Sequence, residues 1–215
     1  MMFCPKLLRY HRKELWPLLL VPLFLFLLWQ GVVLIFRFQD TFALMPVLLP
    51  LCGGILGLVY SLSAVLYDFE RLVSLSRSRR RTLRAVLGYL GVLWALYLLI
   101  SLALVGADYG LNRVLLPLLR PGFAAEGASL YAAGLPWLAL GPLLGMAAGF
   151  VVGAMIQRFG RRAGWVVWGV YMAAFLLRDQ IPWGAVLGIL PVLLAAGAAL
   201  LALSCVSLLR CSVRS

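Results

Sequence analysis

All charged residues of this chain lie outside six blocks of mainly apolar residues. The blocks are 15–36, 42–66, 85–105, 131–156, 165–177 and 185–209. About 20 apolar residues in a helix cross the hydrocarbon core of a bilayer, where a helix satisfies its own backbone hydrogen bonds. The chain is 64% hydrophobic and 12% charged, which leaves too little polar surface for a soluble domain. We therefore predict an all-α, polytopic membrane protein with six transmembrane helices, in a single transmembrane domain covering 1–215.

The first 14 residues mix lysines and arginines with apolar side chains. This mixture favours an N-terminal interfacial helix in the headgroup region, and a basic flank that only orients the first span is the alternative. The first apolar block is too long for the apolar region of a signal peptide and lacks a small-x-small cleavage site, so we expect it to remain as a span. His11 is the only histidine, and the four cysteines have no metal-ligand spacing, so no metal site is predicted.

The distribution of basic residues predicts the orientation of the chain. With six spans and a cytoplasmic amino terminus, the inner segments are 1–14, 67–84, 157–164 and 210–215. These segments hold 15 of the 19 lysines and arginines, and the outer segments are neutral overall. The positive-inside rule then places both termini in the cytoplasm of a plasma membrane protein. The net charge of +12 is explained by topology and by contact with anionic membrane lipids, and no nucleic acid partner is predicted.

Glycines recur at intervals of four residues in two of the apolar blocks. They are Gly53 and Gly57 in the second block, and Gly141, Gly145, Gly149 and Gly153 in the fourth. Small residues at this spacing let two helix backbones approach closely, so we interpret both sets as helix-packing surfaces. A substrate groove along the fourth span is the competing interpretation.

No catalytic constellation is present in the sequence. We expect 107–130 to form an external loop with a partly immersed helix, which would place every ionisable side chain at or outside the end of a span. That pattern argues against a proton- or sodium-coupled carrier. The chain has no GxxxxGK[ST] phosphate-binding loop, so we predict that it is not an enzyme and carries no cofactor, and that any energy for transport comes from a partner.

The longest charged interval, 67–84, is the candidate for contact with that partner. Asp68 and Glu70 open a candidate helix, where carboxylates suit the positive end of the helix dipole. Phe69, Leu72 and Leu75 give it an apolar side that could enter a protein groove or lie on lipid. A basic loop held to anionic headgroups is the alternative.

Short motifs in this interval and elsewhere carry a family resemblance. The acid Glu70, the leucines that follow it and the Ser-Arg-Arg-like cluster 76–80, leading to Gly88, resemble the loop between spans two and three of type-2 ABC exporter permeases. The RKELWP ending of the amino-terminal helix and the segment GFVVGAMIQRFGRRAG are similar to the compact permeases of that group. Tyr89 departs from the lysine that many members carry after this glycine.

The resemblance implies a half-transporter. Two permease copies, or this chain and a sister permease, would join two separate ABC ATPase subunits that hold ATP and Mg. A short cytoplasmic coupling helix would contact the ATPase through Asp68, Phe69, Glu70, Arg71, Leu72 and Leu75. A basic cytoplasmic anchor would comprise Arg77, Arg79, Arg80, Arg81, Arg84, Arg158, Arg161 and Arg162.

Three functions agree with these patterns. The leading hypothesis is the permease subunit of an ATP-driven exporter for an apolar or amphipathic substrate, such as a lipid, a peptide or a drug. The second is the substrate-binding membrane component of an energy-coupling vitamin uptake system. The third is a membrane scaffold without a transport function.

Overall fold

The computed structural model describes residues 15–36, 44–74, 78–119, 128–176 and 190–210, and every element in these ranges is a helix. The elements are α1 (Leu15–Phe36), α2 (Met45–Ser63), a π turn (Ala64–Phe69), α3 (Glu70–Ser74), α4 (Arg79–Leu119), α5 (Ala128–Phe159), α6 (Arg161–Leu176) and α7 (Leu190–Arg210). The predicted interfacial helix at 1–14 lies outside the described residues. The all-α prediction is confirmed for the part of the chain that is described.

Four helical segments are long and apolar enough to cross a membrane. They are Leu15–Val33, Met45–Ser74, Arg79–Val114 and Tyr131–Phe159. Their exposed surfaces are themselves apolar, with Phe24, Leu27 and Leu28 of α1 all more than a third exposed. Apolar side chains on an outer surface of this extent are typical of a membrane protein. The fifth and sixth spans, near α6 and α7, stay predictions.

The structure differs from the predicted boundaries in two places. The third span was expected to end near 105, but α4 continues without a break to Leu119, so 107–119 is helix rather than external loop. Its 41 residues are about twice the number that one bilayer crossing requires. The predicted coupling helix is also not a separate element, because the chain is helical from Met45 through the π turn to Ser74.

Contacts divide the chain into two compact units. Unit 1 comprises Met1–Leu58 and Gly88–Met146, and unit 2 comprises Val59–Leu87 and Ala147–Ser215. The helices that contain these boundaries contribute to both units, so the division does not test the prediction of a single transmembrane domain.

Unit 1 has an apolar core built from four helices. Phe26 and Trp29 of α1 pack with residues of α2, α4 and α5, which are Met45, Leu49, Val105 and Leu138. All six are at least nine-tenths buried. The amino-terminal part of α2 starts after Leu44, whose carbonyl accepts the first N–H groups of the helix. Pro46 then lies in the first turn, where a missing N–H is harmless.

Close backbone contact joins α2 to α5 inside unit 1. A Cβ built at Gly145 would overlap the carbonyl of Gly54, and one built at Gly141 would lie 2.5 Å from the carbonyl oxygen of Pro50. On α2, a Cβ at Gly57 would come within 2.6 Å of the carbonyl oxygen of Pro142. Only glycine permits this approach, so both helices need their glycines here.

Gly53 of α2 is also in close contact with its neighbours. A Cβ at this position would overlap the ring of Tyr97 on α4 and would come within 2.6 Å of the ring of Pro142. The hydroxyl of Tyr97 donates to the carbonyl of Leu49 at 2.6 Å. The phenol of α4 therefore fills the space that this α2 glycine leaves.

Unit 2 contains the end of α2, the π turn, α3, the start of α4, the end of α5, α6 and α7. Gly153 of α5 lies against Val65, where a built Cβ would be 2.9 Å from the Cβ of Val65, and Gly149 is buried. Gly160 ends α5 with φ 77°, and its N–H reaches the carbonyl of Ile156. A left-handed glycine of this kind stops one helix and lets α6 begin at the next residue.

We predict that Gly145→Ala destabilises the protein by about 1–3 kcal/mol, because the new methyl group must push the α2 and α5 backbones apart. Gly91→Ala on α4 is the matched control, since no described heavy atom lies within 4 Å of its built Cβ. The control should be neutral or stabilising by up to about 1 kcal/mol through helix propensity. Unfolding in detergent with increasing denaturant measures both, and equal effects would contradict the packing account.

Candidate functional site

The segment that follows the π turn presents polar groups at the surface of unit 2. Glu70 and Arg71 are exposed, and Asp68 and Leu72 are half-buried. The Ser74 hydroxyl donates to the carbonyl of Arg71 at 2.7 Å, which occupies one of the unpaired carbonyls at the end of α3. Leu75 and Arg77 lie outside the described residues. An acidic and a basic side chain thus lie at the surface at the end of one continuous helical segment.

Phe69 differs from its predicted role. It was expected on the contact surface of the coupling segment, but it is only 3% exposed and packs inside the chain. Val65, one π turn earlier, is fully buried as well. These two side chains fix the base of α3, and Phe69 is not on the surface that a partner would meet.

Gln157 of α5 holds the π turn through a hydrogen bond. Its side-chain Nε2 donates to the carbonyl oxygen of Val65 at 2.8 Å. A π turn interrupts the regular ladder of backbone hydrogen bonds, and such interruptions are frequent at functional sites. The amide of Gln157 therefore ties the helix that carries Glu70 to the last turns of α5, directly beside the close contact of Gly153 with Val65.

The predicted basic anchor contains arginines in two different situations. Arg79 is half-buried, and its Nη1 donates to the carbonyl of Leu209 at 3.4 Å, so it joins the start of α4 to the end of α7. Other members are exposed: Arg80, Arg81, Arg84, Arg158 and Arg162. The guanidinium of Arg158 lies over the ring of Phe159 at 5.3 Å. Arg161 begins α6, and its side chain is not among those described.

A second polar cluster, which we call the Asp108 cluster, lies in unit 1. It consists of Gln30 on α1, Asp108 and Asn112 on α4, and Tyr131 on α5. Asp108 is 0% exposed. Gln30 Nε2 donates to its Oδ1 at 2.6 Å, and the Tyr131 hydroxyl donates to its Oδ2 at 2.6 Å. Asn112 Nδ2 donates to the Tyr131 oxygen at 2.8 Å, which completes a chain of hydrogen bonds across three helices.

Among the described residues, the cation Arg113 lies near this cluster and is hydrogen-bonded to Tyr109. Tyr109 packs edge-on against Tyr131 with ring centroids 5.2 Å apart. Arg113 donates to the Tyr109 hydroxyl at 2.9 Å and lies over that ring. Among the described residues, the hydrogen-bond donors to Asp108 are the neutral side chains Gln30 and Tyr131, and Asn112 is linked to it through Tyr131. The carboxyl group is thus buried without a cation bound to it in this part of the structure.

Asp108 was expected in an external loop, three residues beyond the predicted end of the third span, and the structure places it in a helix instead. It falls within the long candidate span Arg79–Val114 and is covered by protein. The sequence did contain a signal for this cluster. Asp108 and Asn112 are four residues apart, hence on one face of a helix, and Gln30 is the only amide inside the first apolar block. Because 107–130 was predicted to be a loop, the helical spacing of Asp108 and Asn112 was not recognised.

The described residues contain no group of three or more His, Cys, Asp or Glu side chains that could hold a metal ion. Comparison of the chain with family models, curated proteins and solved structures finds no match. The segment around Glu70 and the Asp108 cluster are therefore interpreted from their own geometry and chemistry.

We predict that Gln157→Leu lowers the free energy of unfolding by about 1–3 kcal/mol, because it leaves the buried carbonyl of Val65 without its side-chain donor. Arg162→Gln, an exposed polar change on α6, is the control and should stay within about 0.5 kcal/mol of wild type. Denaturant unfolding in detergent measures both variants. A neutral Gln157→Leu variant would show that the hydrogen bond to the π turn contributes nothing to stability.

Proposed function

We propose that this chain is the membrane permease subunit of an ATP-driven transporter whose ATPase is a separate protein. The observation that carries the proposal is the continuous helical path from Met45 to Ser74, which ends in the exposed side chains Glu70 and Arg71. A permease without an ATP site needs an element that receives force at its cytoplasmic end and passes it to membrane helices. Within unit 2, the end of α2 continues through the π turn into α3 and has this form.

The packing of unit 2 supports transmission of such a force. Phe69 and Val65 are buried at the base of α3, and Gln157 hydrogen-bonds the π turn between them. A displacement of Glu70 would therefore load both the end of α2 and the end of α5 rather than bend a free loop. This is the mechanical property that the resemblance to type-2 ABC exporter permeases requires of a coupling helix.

The proposed substrate is apolar or amphipathic, and the direction is export. An apolar groove of about 400 Å³ in unit 1 supports this class of substrate. It lies beside the close contact of α2 with α5 and is lined mainly by proline rings, aliphatic side chains and Trp137. Grooves of this chemistry suit acyl chains and apolar drug or peptide side chains.

The assembly that we propose contains two permease chains, identical or sister, with two ATPase subunits. It lies in the plasma membrane with both termini of this chain in the cytoplasm, in agreement with the excess of arginine and lysine in the inner segments. The exposed arginines at 80, 81 and 84 are proposed to contact anionic headgroups near the coupling segment.

We expect Glu70→Lys to reduce recovery of the ATPase with the tagged permease about tenfold, equivalent to about 1.4 kcal/mol of binding free energy. The reversed charge would oppose the surface that Glu70 meets. The tagged chain is purified from its native cells in mild detergent. The co-purified protein is identified by its phosphate-binding loop and by ATP hydrolysis.

The matched control is Arg113→Glu, which reverses an exposed charge on α4 in unit 1. This variant should retain the ATPase at the wild-type level. Recovery of a wild-type amount of ATPase with Glu70→Lys would contradict the coupling-site assignment. Tight binding of a vitamin by the isolated chain, with no ATPase recovered from any variant, would instead favour the vitamin-uptake hypothesis.

A further inference from the structure

The Asp108 cluster has no place in a coupling scheme that relies on ATP alone, and it goes beyond the proposed function. An ionisable group in a membrane-spanning segment is costly to bury, and such groups usually mark ion or proton pathways. A polar bridge between helices needs no carboxyl group, because two amides or hydroxyls would serve. The presence of Asp108 at the centre of the cluster therefore calls for a role that involves its charge.

We propose that Asp108 is a proton-binding site, and that Gln30, Tyr131 and Asn112 are arranged to satisfy its hydrogen bonds in both the charged and the neutral state. The three partners share one property. Each carries both a hydrogen-bond donor and an acceptor on the same side chain, in an amide or a hydroxyl group. A lysine or arginine partner would instead fix the carboxylate in its charged form.

In the charged state, both carboxylate oxygens accept hydrogen bonds. Gln30 donates to Oδ1, Tyr131 donates to Oδ2, and Asn112 donates to the Tyr131 oxygen. Each of these hydrogen bonds is donated in the direction of the carboxylate. No group in the chain is left without a partner.

In the neutral state, a proton from water binds Oδ2 and the direction of part of the chain reverses. The new O–H of Asp108 donates to the Tyr131 oxygen, and the Tyr131 hydroxyl turns to donate to Asn112. The amide of Asn112 rotates by half a turn to offer its oxygen, an exchange that leaves the positions of the side-chain heavy atoms almost unchanged. Gln30 continues to donate to Oδ1. Both states are thus satisfied without movement of a helix.

Polar side chains at the protein surface lie close to the cluster. Asn112 is partly exposed, and Arg113 at the next position is exposed. The carboxyl group is itself covered but lies only four and five residues from these two positions along α4. The other titratable or charged groups described around it are Tyr131, Tyr109 and Arg113, and Arg113 is held on the Tyr109 ring and hydroxyl.

Infrared difference spectroscopy of the purified full chain in detergent tests the proposal, because a protonated carboxyl group has a C=O stretch separate from the carboxylate bands. The wild-type chain should gain this band as the pH is lowered from 9 to 4.5, and Asp108→Asn should lose the component that belongs to Asp108. With seven acidic residues in the chain, the assignment by difference is practicable. A titrating band that is identical in wild type and Asp108→Asn would overturn the proposal.

A second pair of variants keeps the test valid if Asp108→Asn does not fold. Tyr131→Phe removes the hydroxyl that donates to Oδ2, and should raise the pH midpoint of the band by about one unit, a tenfold change in proton affinity. Tyr67→Phe removes an exposed hydroxyl of the π turn in unit 2, and should leave the midpoint unchanged. Equal midpoints in Tyr131→Phe and wild type would also overturn the proposal. A carboxyl group that stays charged over this pH range would produce neither the band nor its shift.

Discussion

The close contact between the α2 and α5 backbones is the constraint on which the rest of unit 1 depends. Between helices in lipid there is no hydrophobic driving force, because lipid tails are as apolar as leucine side chains. Association must then come from dense van der Waals contact and from hydrogen bonds. Gly54 and Gly145 supply the dense van der Waals contact, because each backbone lies where the other helix lacks a side chain. The same contact sets the separation of the helices that hold the apolar core.

Prolines take part in this contact together with the glycines. The Pro50 backbone lies against Gly141, whereas a Cβ at Gly134 would overlap the ring of Pro46 and one at Gly53 would lie 2.6 Å from the ring of Pro142. A proline inside a helix costs a backbone hydrogen bond. Its ring is compact and rigid, so the residue that packs closely against it must be small. Trp94 adds a directional element, because its indole Nε1 donates to the carbonyl of Ala139 on α5 at 2.9 Å.

Sequence patterns predicted the helical class and the close-approach glycines, because both depend on local spacing. Length and hydropathy predict that an apolar block is a helix. They do not predict which side of that helix meets another helix. Phe69 was placed on a partner surface because its position in a short amphipathic pattern resembled that of Leu72, and only tertiary packing shows that it faces the interior. Tertiary packing likewise decides that Arg79 bonds the end of α7 rather than lying free among headgroups.

The error in the loop boundary at 107–119 has a more general physical cause. Charge was taken as a sign that a helix had ended, since an unpaired charge in hydrocarbon is costly. That cost depends on the immediate surroundings of the carboxyl group and not on its position in the sequence. Three neutral partners on α1, α4 and α5 replace the hydration of Asp108, so the helix can continue past it to Leu119. A buried carboxyl group of this kind does not compete with an external ATPase as the source of energy. A proton bound at Asp108 would change the charge of unit 1 by one, and in the proposed assembly the ATPase contacts α3 in unit 2, so the two proposed inputs are separable.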